Sequence, residues 1–234
     1  MMKVKLSTRY DVEPHQSTWG IKCDDGTWIK TPQGHDLLLP SRALAEEIAT
    51  EWRAQEKTLK PATMPLTQLS MTVLDITRKD STRVIDELMG YLDTEMTCHR
   101  ADDPAALVKR QQDLWQPLLD WLTAETGANF ATGIGIMPVR QDSTTHQALR
   151  QWLETLDLWQ LTGLRHATDL CGSLVVGLAI ANGRLSLEET IAAAELEANF
   201  QIETWGQDPI QAECRAILRK DLTTILEWFR LLAI

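Results

Sequence analysis

The stretch Leu37-Leu-Leu-Pro-Ser-Arg-Ala-Leu-Ala-Glu-Glu-Ile-Ala-Thr-Glu-Trp-Arg53 holds the change of periodicity on which the fold turns. Its three leucines form a short β-prone run that Pro40 ends. Ser41 then offers a side-chain oxygen to the amides that a first helical turn leaves unpaired, the mark of an N-cap. Beyond it, Leu44, Ala45, Ile48, Ala49 and Trp52 recur at helical spacing, with Glu46, Glu47 and Arg53 on the opposite face. The spacing predicts an amphipathic helix in which Trp52 is a packing residue.

Upstream the chain reads as short strands. Trp19–Cys23 and Thr27–Thr31 flank Asp24-Asp25-Gly26, a hairpin signal because glycine accepts a positive φ in the turn. Pro32-Gln33-Gly34 marks a second turn. Downstream, Lys60-Pro-Ala-Thr-Met-Pro65 breaks the helix, since proline lacks a donor and restricts its neighbour. The domain boundary is placed there. The expected architecture is α+β: residues 1–65 as a small β-rich N-terminal domain with one helix, and residues 66–234 as a larger all-helical domain.

In the helical part, Val84, Ile85, Leu88, Met89 and Leu92 form one stripe. Leu107, Leu114, Leu118, Trp121 and Leu122 form another, with Pro117 as a kink or junction and Gly127 as its end. Leu149, Trp152, Leu153 and Leu156 mark a further helix. Asp169–Ala181 is apolar nearly all round and reads as one buried central helix. Ser186-Leu-Glu-Glu189 is a capping box that opens a helix expected to run to Trp205 and stop at Gly206. Asp208-Pro209 restarts the chain as N-cap and first helical residue. Ile210, Cys214, Ile217, Leu218, Ile225, Phe229 and Leu232 follow at helical spacing. The short connector makes these last two helices a long antiparallel hairpin.

Composition narrows the function classes. With 23 Lys and Arg against 33 Asp and Glu, the net charge is -10. That disfavours nucleic acid as a partner, which is bound by clustered positive charge. The longest apolar run, Leu174–Ala181, is too short to insert into a bilayer, and the first residues lack the apolar core of a signal peptide. Cys23, Cys98, Cys171 and Cys214 are scattered without paired spacing, which fits reduced thiols.

Catalytic chemistry is hard to find. Gly133-Ile-Gly135 lacks the third glycine of a dinucleotide fingerprint and the lysine of a P-loop. Cys98-His99 and His166 with Cys171 do not reach a zinc set, and His15 and His35 have no evident partner. No catalytic residue, metal or cofactor is therefore expected. The most informative polar group is Glu197, Gln201 and Trp205, which step by four and share one helix face, closed by Gly206. A carboxylate, an amide and an indole on one face have the make-up of a protein-binding patch. A small hydrolase or transferase using an acidic helix face is the alternative.

Taken together, the chain resembles the assembly chaperones that bind the alpha subunit of the F-type ATP synthase catalytic sector in bacteria and mitochondria. The likeness is carried by Arg9-Tyr10, Asp25-Gly26, Lys30-Thr31-Pro32, Leu39-Pro40-Ser41, Leu44-Ala45, Ile48-Ala49, Glu51-Trp52, Gln55 and Met64-Pro65-Leu66-Thr67. It continues through Asp75, Tyr91, Gln111, Trp115, Pro117-Leu118-Leu119, Trp121, Gly133, Ser173-Leu174, Leu196-Glu197, Phe200-Gln201 and Trp205-Gly206. In one place the chain departs from the family pattern: Ala198 and Asn199 follow Glu197 where the family carries an acidic run. The resemblance implies partner-binding roles for Glu197, Gln201, Trp205 and Gly206 and structural roles for Trp52, Asp75 and Trp121. It also implies a place in the bacterial cytoplasm, equivalent to the mitochondrial matrix; a monomer is expected, because a homodimer that hid the binding face would have to dissociate first. Such a protein shields the free alpha subunit and hands it to the beta subunit.

Overall fold

Ser41 caps a helix as its chemistry predicts. In the computed structural model, which describes residues 9–135, 137, 139–206 and 208–232, helix α1 spans Arg42–Arg53, and Ser41 Oγ accepts from the Leu44 amide at 3.1 Å. All five residues of its apolar face, Leu44, Ala45, Ile48, Ala49 and Trp52, are buried. The α+β class holds: a small antiparallel sheet is followed by a helical region.

The sheet has the order β1-β2-β3, with β1 at Tyr10–His15, β2 at Thr18–Cys23 and β3 at Leu38–Leu39. Strand β1 has no counterpart in the sequence reading, because Pro14 interrupts its pattern. It is an edge strand, where a residue without an N–H is tolerated. The Asp24–Gly26 turn forms, but its second arm pairs through an isolated bridge from Lys22 to Trp28, with hydrogen bonds from the Cys23 amide to the Thr27 carbonyl at 2.8 Å and from the Ile29 amide to the Ile21 carbonyl at 2.9 Å. Gly20 makes room for that arm: a Cβ there would lie 2.7 Å from the Trp28 ring.

By its contacts the chain divides after Ser81. One compact unit holds the residues up to Ser81 together with those from Glu227 on, and the other is Thr82–Leu226. The 60–65 segment lies inside the first unit. Helix α2 (Pro65–Thr72) packs on α1, and the Glu51 carboxylate accepts from the Leu66 and Thr67 amides at 2.9 and 2.8 Å. Burial pushes the Glu51 carboxyl up, and these bonds pull it back. The π-helical turn Val73–Thr77 follows. Its buried Asp75 accepts from Thr31 Oγ1 at 2.6 Å and from the Gln33 amide at 3.1 Å, which pins the Pro32–Gly34 turn.

The second unit contains α3 (Ser81–Gly90, from its second residue), α4 (Ala105–Thr126), α5 (Ser143–Leu153), α6 (Leu158–Cys171), α7 (Leu174–Ala181), α8 (Leu187–Ala194), α9 (Leu196–Trp205) and most of α10 (Pro209–Leu232). Its strand content among the described residues is a parallel pair, β4 (His99–Arg100) with β5 (Gly133–Ile134). Helix α4 runs unbroken through Pro117 and ends at Gly127, φ 73°. Its buried face is Gln111, Trp115, Leu118, Leu119 and Leu122, while Leu114 is exposed. Trp121 is half-buried beneath the Arg184 guanidinium, 4.9 Å from its ring centre.

Two helices of the sequence reading are each split. The Asp169–Ala181 segment breaks at Gly172, which is left-handed, and Ser173 recaps the chain as α7. Helix α7 is the core of the unit, with Leu174 to Ile180 all buried. The helix that opens at the Ser186 capping box changes course at Glu195, whose φ of -109° is not helical, giving α8 and α9.

Candidate partner-binding surface

Helix α9 is held to α4 along one side. Leu196 is buried, and Arg110 sits 5.4 Å from the Phe200 ring centre while donating to both Glu203 oxygens at 2.8 and 2.5 Å. Just before α9, the Ala193 carbonyl accepts from Trp115 Nε1 at 2.9 Å. Glu197, Gln201 and Trp205 are all exposed, with Trp205 at 76%.

Glu197 is exposed but not loose. Its Oε1 accepts from Gln111 Nε2 at 2.8 Å, and the Gln111 side chain is itself buried and receives the Ala101 amide at 2.8 Å. A core amide thus aims a surface carboxylate. Sequence spacing placed Glu197, Gln201 and Trp205 on one face, which the structure shows. Gln111 as the tether was not foreseen, because α4 and α9 lie far apart in sequence.

Gly206 ends α9 at φ 86°, ψ 170°, a conformation open in practice to glycine alone. Asp208 then accepts from the Gln211 amide at 2.9 Å and starts α10. Gln201, Ile202, Trp205, Gly206, Asp208 and Gln211 line a shallow cleft of about 370 Å³. Ion pairs hold α10 beside α8 and α9: Arg219 with Glu188, and Arg215 with Glu195 at 2.7 Å.

The apolar residues at the start of α10 depart from expectation. Ile210 and Ile217 are 75% and 55% exposed, and Cys214 between them is exposed too. They face outward although the same helix buries Leu222, Ile225, Trp228 and Leu231.

Glu197, Gln201 and Trp205 include no pairing of nucleophile and base. Burial pushes the Cys98 and Cys171 thiols up to about 12, so neither supplies a thiolate at neutral pH. His166, also desolvated, has its pKa lowered. Among the described residues, no three His, Cys, Asp or Glu side chains gather to hold a metal. Nor is any described helix long and apolar enough to cross a membrane.

A family model described as the ATP12 chaperone protein matches residues 4–123. The chain belongs to the ATP12 chaperone family. Its structure superposes on the crystal structure of Atp12 from Paracoccus denitrificans with a TM-score of 0.90, at 30% identity over 97% of both chains. A crystal structure of the Atu1473 protein from Agrobacterium tumefaciens gives 0.89, at 33% identity over 97% of this chain and 85% of that one. The mitochondrial protein atp12 of Schizosaccharomyces pombe is 28% identical over 78% of this chain and 67% of its own length. The ATP12 likeness to the Paracoccus protein therefore reaches past residue 123 into the helices that present Glu197 and Trp205.

Proposed function

We propose that the chain is an assembly chaperone for the F-type ATP synthase: it binds the free alpha subunit of the catalytic sector and yields it to the beta subunit. Membership of the ATP12 chaperone family supports the class. The observation that carries the binding reading is Trp205, 76% exposed and about two turns along α9 from a carboxylate held in place from the core. Tryptophan at that exposure offers a large apolar contact with little freedom to lose, as binding hot spots do. An alpha subunit awaiting its neighbours exposes apolar assembly surface and aggregates unless covered. Covering needs moderate affinity and exchange by competition, without turnover. The working form is a monomer in the bacterial cytoplasm or a compartment equivalent to it, where the face is not hidden by a second copy.

The deciding experiment is co-expression with the alpha subunit, followed by affinity purification of the chaperone. The alpha subunit should appear in the soluble eluate in near-equal amount, and added beta subunit should release it. An alpha subunit that stays insoluble, or elutes without the chaperone, sinks the proposal.

A further inference from the structure

The apolar stripe of α10 is continuous in sequence and discontinuous in burial. Ile210, Cys214 and Ile217 lie on the same face as Ile225 and Trp228 by helical period. The latter two are fully buried and fix the rotation of the helix about its axis. The first half must then present the same apolar face to solvent, as the exposure of Ile210 and Ile217 shows. An amphipathic helix that keeps its apolar stripe where its own fold offers no cover displays a docking face.

Toward its N-terminal end the border of this strip is acidic. Glu213 lies beside it, Asp208 stands at its start, and Glu197 lies beyond the Trp205 cleft; all three are exposed. The arginines of this half of α10, Arg215 and Arg219, are turned toward Glu195 and Glu188 on the other side. Lys220 marks the C-terminal limit of the strip. A second copy of the chain would set acidic border against acidic border in a molecule of net charge -10. We propose that the first half of α10, continued by Trp205, is a docking strip for an apolar client surface bordered by basic side chains. The assignment rests on the alpha-subunit reading above and adds the chemistry that the client's contact surface must have.

Cys214 sits in the middle of the strip and is its built-in reporter. In the purified complex of the wild-type chain with the alpha subunit, iodoacetamide should alkylate Cys214 at least ~10-fold more slowly than in the chain alone, read by peptide mass spectrometry. The double variant Ile210→Glu, Ile217→Glu should melt like wild type, because both side chains are exposed, and should retain at least ~10-fold less alpha subunit. A complex that forms while Cys214 reacts at the free rate overturns the strip and leaves the functional reading standing. Failure of the wild-type chain to capture the alpha subunit overturns that reading, and the client assigned here with it. Protection of Cys214 that grows with the concentration of the chain alone places a second copy on the strip and overturns the choice of a client.

Discussion

At the scale of single residues, Glu197 has two features that one substitution can separate. Its charge faces solvent, and its Oε1 accepts from buried Gln111 at 2.8 Å. Glu197→Gln can keep that acceptor and removes only the charge. It should melt within a degree or two of wild type and weaken alpha-subunit capture several-fold. Glu197→Lys also leaves the Gln111 amide without its acceptor, so it should lose about 1–2 kcal/mol of stability and at least ~10-fold in capture. Thermal melting and co-purification from the same preparation check both; wild-type retention by either variant would remove Glu197 from the interface. Trp52 is a simpler case. It is 7% exposed, with its ring centre 5.6 Å from that of Tyr10, and its loss should cost about 3–5 kcal/mol. Trp52→Arg adds a buried unpaired charge and should leave the protein in the insoluble fraction; a soluble variant melting at the wild-type temperature would show that the site relaxes around the charge.

At the scale of elements, the central helix α7 depends on a residue distant in sequence. Glu95 is buried and accepts five hydrogen bonds: from the Thr97 amide and hydroxyl, Ser173 Oγ, and the Leu174 and Val175 amides. Glu95→Ala leaves buried amides unpaired and should cost about 3 kcal/mol or more by chemical denaturation. Burial pushes the Glu95 carboxyl above its ordinary 4.5, with the bonds from Ser173, Thr97 and Val175 pulling it back. The folded state therefore holds this proton more tightly than the unfolded chain. Below pH 4.5 the group contributes nothing, and as pH rises from there through the raised value it subtracts stability. Glu95→Gln cannot titrate, so its melting temperature should fall less over that window than the wild-type value does. Parallel pH profiles would disprove the assignment to Glu95. Sequence reading joined α6 and α7 because the run from Asp169 to Ala181 is apolar, and nothing local announces that a distant carboxylate waits for the amides of a second helix start. Gly172-Ser173 was the local signal, a C-terminal glycine followed by an N-cap.

At the scale of the whole molecule, a net charge of -10 and an acidic border around Trp205 give association a salt dependence. Raising ionic strength from about 0.05 to 0.5 M shortens the screening length from roughly 14 to 4 Å, which should slow capture of the alpha subunit several-fold and leave dissociation nearly unchanged. Surface binding kinetics would read both, and an unchanged association rate would mean that apolar contact alone guides the encounter. The sequence by itself determined those features that are local. The Ser41 cap, the buried face of α1, the Gly127 and Gly206 stops, the Ser186 capping box and the shared face of Glu197, Gln201 and Trp205 all follow from helical period and from which side chains pair with open amides. The α+β class follows from the order of those patterns, and the chaperone family from motifs spread along the chain. Tertiary structure decided whatever joins residues distant in sequence. It set the tether from Gln111 to Glu197, the hold of Asp75 on the Pro32–Gly34 turn, and the Glu95 cap on α7. It also decided which half of α10 is covered. Ile210 and Ile225 carry the same pattern in sequence, and only the presence or absence of packed neighbours makes one side chain core and leaves the other exposed.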